Sequence, residues 1–259
     1  MPKGGFNLGL KTNIEWEKWG EIDPLWAVAA WEERNKDGKR PWTNEQFYEL
    51  GRIDWIDFVA HWQRYGVNNK TGLEIGCGAG RLTKHMAEYF DQLYAIDVSN
   101  GMINYARSHI NSSNVYFYLV NKNEIPLPDK SVTAVFSTHA FQHLDTLKDG
   151  AAYFKETSRV LVSGGTMMIH LPISAWPSGT GRLVKHIYHV GKIIERVKIN
   201  LKRYIMAKGH FIPLMCMNSY PVDYLYDFLP SLGFENIEIV IFAIKSNNVP
   251  HPFVLASKI

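Results

Sequence analysis

A chain of 259 residues can bury a substantial core, and it suits one large α/β domain or one domain with an embellishment. Apolar residues make up 46% and charged residues 20%, as in an ordinary folded soluble protein, and no run of about 18 apolar residues is present to span a membrane. The net charge of +3 is unevenly spread: between Ser174 and Ser219 stand eight Lys or Arg and one acid, which leaves 20 bases against 24 acids elsewhere.

The N-terminus "MPKGGFNLGLKTN" lacks the apolar core of a signal peptide, which points to the cytoplasm. Residues 1–68 read as a helical extension, with Asn44 as N-cap of a helix that runs through Tyr65. From residue 70 strands and helices alternate. "TGLEI" is a strand, residues 79–89 a helix, "QLYAIDV" a strand and Asn100 to His109 a helix. "VYFYLV" and "SVTAVFST" follow as strands, then a helix over 146–160 and the strand "GGTMMIHLP". "YPVDYLYDFLPSLGF" reads as a helix capped by Gly233, and "NIEIVIFAI" with "HPFVLASK" as a hairpin. This pattern predicts an α/β fold with a mostly parallel sheet, helices on both faces and an antiparallel end.

The turn "GCGAG" after the first strand has glycines at 76, 78 and 80. A dinucleotide fingerprint would need its third glycine at 81, where Arg81 stands, so NAD is not the expected ligand. Glycines there let a backbone approach a ligand closely. Asp97, at the end of the second strand, is placed to accept ribose hydroxyls. Without a ligand, the same residues would make a tight strand–helix connection and an acid at a helix N-terminus.

The ordered segments "LEIGCGAG", "YAIDVS", "NEIPLPDKSVTAVFSTHAFQHL" and "RVLVSGGTMMIHLP" resemble the motifs of class I S-adenosylmethionine-dependent methyltransferases over about residues 70–172. The resemblance implies a Rossmann-like fold with a seven-stranded, mostly parallel sheet and S-adenosylmethionine as cofactor. It implies that Glu74 orients the methionine ammonium and that the Gly76, Gly78 and Gly80 backbone lines the methionine moiety. Asp97 takes the ribose, Val98 and Met102 flank the adenine, and Asn121 accepts from the adenine amino group where relatives often carry an acid. The Lys122 backbone meets adenine N1, and Cys77 and Glu124 belong to the same cofactor-binding set, Cys77 as a small filler of the turn. Domain limits follow: an extension or lid over 1–68, a cofactor-binding core over 69–173, a basic insertion over 174–219 that caps the substrate, and the remainder of the core over 220–259.

Methyl transfer is an in-line displacement, and a hydroxyl acceptor benefits from a general base near neutral pKa. His139 is the first candidate, with His143 and His170 also near the carboxyl ends of central strands; each is open to a plain packing role. The two cysteines, Cys77 and Cys216, lie far apart and suggest neither a disulfide framework nor a zinc site, so no metal is expected.

In the insertion, Leu183, Ile187, Val190, Ile194, Val197, Leu201 and Tyr204 recur at alternating spacings of four and three, with Lys185, Lys192, Arg196, Lys198, Lys202 and Arg203 off the stripe. Such a helix fits a lid with a solvated basic face, recruitment of an anionic small acceptor, or contact of 183–205 with an anionic membrane surface. No RNA-binding motif is present, so a nucleic-acid partner is not expected. The eight tryptophans all fall in the two outlying regions and fit either an aromatic wall over the acceptor or packing onto the sheet. The reading is a cytoplasmic methyltransferase acting on a small molecule at a hydroxyl. The alternatives are a lipid or quinone methyltransferase at a membrane surface and a catalytically silent cofactor-binding subunit; the oligomeric state stays open.

Overall fold

The computed structural model describes residues 11–121, 123–174 and 217–259. The basic stripe of 183–205, Lys122, Trp176 and Cys216 lie outside the described residues.

Three helices precede the sheet: α1 (Lys11–Ile22), α2 (Pro24–Val28) and α3 (Asn44–Tyr65). Then follow β1 (Thr71–Ile75), α4 (Thr83–Tyr89), β2 (Gln92–Asp97), α5 (Asn100–His109), β3 (Val115–Leu119) and β4 (Val132–Ser137). A single 3₁₀ turn at Phe141–His143 leads to α6 (Leu147–Val160) and β5 (Leu161–His170). The chain ends with α7 (Val222–Ser231), β8 (Phe234–Ala243) and β9 (Pro250–Lys258). The seven-stranded sheet has the order β3-β2-β1-β4-β5-β9-β8; the first five strands are parallel, and β9 runs antiparallel to both β5 and β8. Strand order reverses between β1 and β4, so the crevice at their carboxyl ends is where a ligand fits in such a sheet. A short pair, β6 (Ile173–Ser174) with β7 (Tyr220–Pro221), stands apart from it.

Period-two alternation sorts the central strands cleanly between two layers. Val135, Met167, Ile169 and Val254 face Tyr153 and Phe154 of α6 and Leu225 and Leu229 of α7. Their neighbours Phe136, Met168 and Phe253 face Trp55, Phe58 and Trp62 of α3 and Met86 of α4. The Trp62 indole N–H donates to Thr166 Oγ1 at 3.0 Å across this layer. A third cluster joins Leu25, Ala27 and Phe47 from the N-terminal helices to Met102 and Ala106 of α5.

Four of the boundaries that differ from the sequence expectation have a local cause in the structure. The N-cap of α3 is Thr43, whose hydroxyl accepts from the Gln46 amide at 3.3 Å; Asn44 is the first helical residue, and its side chain instead accepts from the Tyr105 hydroxyl. The helix expected over 79–89 starts at Thr83, because Gly80 takes a φ of +81° and keeps residues 79–82 in a turn. β5 begins at Leu161 rather than Gly164, with a register shift against β4 and a φ of +75° at Gly164 that carry the strand through the glycine pair. The closing helix starts at Val222 because Tyr220 and Pro221 pair with β6.

α3 reaches the turn after β1 at backbone distance: a Cβ built on Gly51 would lie 2.0 Å from the Arg81 carbonyl oxygen. Gly51→Ala is therefore expected to destabilise the protein by about 1–3 kcal/mol through overpacking, against the roughly 1 kcal/mol that alanine gains in an isolated helix. Urea denaturation reads the sign, and a higher midpoint would contradict this packing.

Candidate active site

β1 delivers the chain into the crevice, and Gly76 and Gly78 turn it with φ of +76° and +53°. Glycine is required there by space as well as torsion. A Cβ on Gly76 would meet that of Ala140 at 2.4 Å, and one on Gly78 would meet Val28 of α2 at 2.7 Å. The neighbouring strand delivers Asp97, whose two carboxylate oxygens accept from the Gly78 amide at 2.8 Å and the Ser99 amide at 2.9 Å. Burial pushes the Asp97 pKa up, and these amides oppose the shift. Each oxygen retains a lone pair for a further donor.

A cavity of about 310 Å³ opens above this turn. Gly76, Gly78, Asp97 and Val98 line it, together with Thr138, His139 and His143 from the segment after β4. The N-terminal helices contribute Asn13, Trp16, Val28 and Asp54, the segment between α2 and α3 contributes Trp31, and the β8–β9 turn contributes Ser246 and Asn247. The tryptophans divide by role: Trp16 and Trp31 line the cavity, whereas Trp55 and Trp62 belong to the core under α3. Asp54 of α3 forms a buried ion pair with Arg81, and both side chains line the cavity. Asp54 Oδ1 is buried without a hydrogen-bond partner.

The cofactor-binding candidates separate into three groups. Gly76, Gly78, Asp97 and Val98 meet at the cavity. Glu74, Cys77, Gly80 and Met102 are packed around the turn and do not line it. Glu74 accepts from Thr83 Oγ1 at 2.6 Å, Cys77 lies among Ala95 and Ile103, Gly80 abuts Ile110 and Ala106 of α5, and Met102 is fully buried beneath the N-terminal helices. Burial raises the Cys77 thiol pKa well above its ordinary value, in keeping with an inert filler. Asn121 and Glu124 are exposed and do not reach the cavity; the Asn121 carbonyl accepts from Asn13 Nδ2 at 3.3 Å.

The histidines gather more closely than their spacing suggests. His139 has a φ of +59°, an uncommon backbone for a side-chain-bearing residue, and its ring centroid is 4.5 Å from that of His170 and 5.1 Å from that of His251. Burial and the neighbouring imidazoles hold His139 well below the usual histidine range and bring His170 down to about 3. Imidazoles so reluctant to take a proton are weak general bases. His143 stands apart, with its ring 5.2 Å from that of Trp16 and its Nε2 2.9 Å from Gln142 Nε2. Sequence reasoning missed His251, Trp16 and Trp31 as individual site residues and the Asp54–Arg81 pair. The remaining signal was weak: His251 stands at the start of the strand that pairs with β5.

Residues 73–169 match the family model described as "Methyltransferase domain". A malonyl-[acyl-carrier protein] O-methyltransferase of Hahella chejuensis is 37% identical over 98 residues, 37% of this chain and 34% of that relative. Ajmaline N-methyltransferase of Rauvolfia serpentina is 30% identical over 102 residues, 38% of this chain and 34% of the relative. The chain thus spans about a third of the length of the curated relatives it matches. Among solved structures, magnesium protoporphyrin IX methyltransferase from Synechocystis with bound SAH superposes with a TM-score of 0.58 at 12% identity, over 95% of this chain and 98% of that one. Residues 73–169 thus match a methyltransferase domain, and the seven-stranded sheet has the Rossmann-like fold of solved S-adenosylmethionine-dependent methyltransferases. Among the described residues no helix is long and apolar enough to cross a membrane.

Glu74 sits beneath this domain's glycine turn with its pKa raised from 4.5 to about 8, chiefly by burial, with the Thr83 hydrogen bond opposing. Between those values the native chain holds a proton that the unfolded chain has released, so its contribution to stability is full below about pH 4.5 and is lost as pH rises to about 8. Glu74→Gln removes that dependence. Its melting temperature relative to the parent protein is expected to rise steadily from pH 5 to pH 8 in the absence of ligand. A difference that stays flat across those pH values would contradict the raised pKa.

Proposed function

We propose that this chain is an S-adenosylmethionine-dependent methyltransferase that methylates an oxygen nucleophile on a small molecule. One observation carries the reading: one cavity is lined both by the glycine turn with Asp97 and by Trp16, Trp31, His139 and Asn247. Such a cavity can seat a nucleoside end and a reacting end at once. Asp97 supplies the acceptor for ribose hydroxyls, with the Gly78 amide holding its orientation. Gly76 and Gly78 allow the methionine portion to lie against backbone, and Val98 offers an apolar edge to the adenine. Glu74, one shell below, provides negative charge toward the ammonium when it ionises.

In the reaction the acceptor oxygen forms a bond to the methyl carbon while the carbon–sulfur pair returns to sulfur, leaving S-adenosylhomocysteine. The protein's task is to align the three atoms and exclude water, which the aromatic chamber suits. Its volume, shared with the cofactor's reacting end, favours a small acceptor. Support for oxygen comes from the malonyl-carrier relatives, whose names specify O-methylation. A carboxylate acceptor is already ionised at neutral pH. A hydroxyl needs activation that His139 and His170, as weak bases, supply poorly.

Calorimetric titration with S-adenosylmethionine, S-adenosylhomocysteine and NAD tests the cofactor site directly. Both adenosyl ligands are expected to bind and NAD to fail, with affinity at least tenfold weaker in Asp97→Ala, a loss of about 1.4 kcal/mol or more. NAD binding without a response to the adenosyl ligands would overturn the reading.

A further inference from the structure

Three strands of the sheet bring one imidazole each to the same point. His139 follows β4, His170 ends β5, and His251 opens β9, all at the carboxyl edge of the parallel strands. One ligand nitrogen from each lies within 4.8 Å of the other two. His170 and His251 are buried, while His139 is partly open to the cavity. We infer that His139, His170 and His251 form a binding site for one divalent transition-metal ion of the zinc class, with the fourth position open to the cavity.

The geometry needs little adjustment. Zinc–nitrogen bonds of about 2.0–2.1 Å in a tetrahedron set nitrogens roughly 3.3–3.4 Å apart. His251 Nδ1 and His170 Nε2 are already 3.4 Å apart. From the 4.8 Å limit, the third nitrogen closes the triangle with a shift of about 1.4 Å or less, within reach of imidazole rotation. On the far side of the His251 ring, Nε2 stands 3.4 Å from the terminal amide of Asn247. The oxygen of that amide accepts from the Val249 N–H at 2.8 Å, so its Nδ2 faces the ring and the metal-ready tautomer of His251 is not preset there.

As a hydrogen-bonded cluster the three rings are poorly satisfied. His170 Nδ1 is buried with no partner, and the contact of Nε2 with His251 is long whichever ring donates. Among the described residues the carboxylate that favours charge on the trio is Asp54, which acts on His251 and is itself paired with Arg81. Arg81, the cation acting on His139 and His251, is itself held by Asp54. Three uncharged imidazoles with an open side are the donor set of a catalytic zinc centre, and their borderline softness selects zinc, cobalt or nickel over magnesium. Asp54, whose Oδ1 is buried without a hydrogen-bond partner, is among the residues of the same cavity.

The catalytic consequence rests on the methyltransferase reading above. An ion there binds the acceptor hydroxyl and lowers its pKa, and the proton leaves to solvent. The oxygen then attacks the methyl carbon as the carbon–sulfur pair returns to sulfur. This supplies the activation that the weakly basic histidines lack.

The test strips the full chain with a chelator and titrates it with Co²⁺, following the visible d–d bands, with S-adenosylhomocysteine binding measured on the same samples. Uptake of one Co²⁺ per chain with the strong bands of tetrahedral nitrogen ligation, bleached one for one by Zn²⁺, is expected. His170→Ala and His251→Asn are expected to weaken uptake at least tenfold and to keep S-adenosylhomocysteine binding, which also reports folding; the exposed His109→Ala leaves uptake unchanged. No uptake by the parent chain, or uptake indifferent to both variants, overturns the metal site and leaves the cofactor reading standing. Histidine-dependent uptake in a chain that binds no adenosyl ligand supports the metal site and overturns the cofactor reading.

Discussion

The turn that leaves β1 is clamped by backbone and small side chains on several sides, and the site is arranged around that clamp. Gly76 lies under Ala140, Gly78 under Val28 of α2, and Gly51 of α3 against the carbonyl of Arg81. At none of these three glycine positions is there room for a methyl group. Contacts this close leave almost no freedom in the relative positions of the sheet, the N-terminal helices and the segment after β4, because close-packed interiors transmit displacement rather than absorb it. The same turn presents the Gly78 amide to Asp97, so the orientation of this cavity-lining carboxylate depends on the packing of a helix 50 residues before Gly78 in the chain.

Charge is concentrated around the clamp in a way that uncharged packing would not need. Glu74 and Asp97 are both buried there, each with its pKa raised by desolvation, and the Asp54–Arg81 pair sits alongside. Removing one member of a buried pair is far costlier than replacing both, so the carboxylates tie this region to a polar arrangement. A cationic ligand relieves the strain: a positive charge nearby favours the ionised carboxylates that burial disfavours. The electrostatics therefore select a ligand that brings positive charge into the crevice, as a sulfonium with an ammonium end does, and disfavour an anionic one at the same place.

What could be read from the sequence was whatever depends on near neighbours. The alternation of Ala134, Val135 and Phe136, or of Met167, Met168 and Ile169, follows from two-faced burial and marks strands whatever their partners. The glycines and Asp97 declare themselves because torsion and strand ends are local properties. The exceptions all needed a partner from elsewhere. Met102, expected to flank the adenine, is packed under the N-terminal helices, a placement its own neighbours in sequence do not specify. Glu124 and Asn121 turn outward because the loop they occupy follows an edge strand, β3. His139 and His170 were visible as site histidines, but their meaning changes when His251 joins them from 81 residues beyond His170, a proximity created by the antiparallel strand alone. The spacing of the two cysteines gave no sign of a metal-ligating set, and the closeness of three histidines, one after β4, one ending β5 and one opening β9, exists only in the assembled sheet.

The N-terminal region illustrates how one stretch of sequence can carry two roles. An extension that opens as a rigid lid would have to leave the sheet as a unit, yet α3 is rooted there by Phe58, Trp62 and the bond to Thr166. α2 is held in turn by Leu25 and Ala27, buried against Phe47 and Met102. Lifting it would expose that apolar surface at about 25 cal/mol for each Å². The segment between α2 and α3 is different. Trp31 is 36% exposed, and Trp31 and Trp42 lean on each other at 5.3 Å, with the Trp26 and Trp42 indoles donating to the carbonyls of Trp31 and Ala29. Few buried contacts secure it, so any opening for an acceptor is cheapest at this tryptophan-bearing loop.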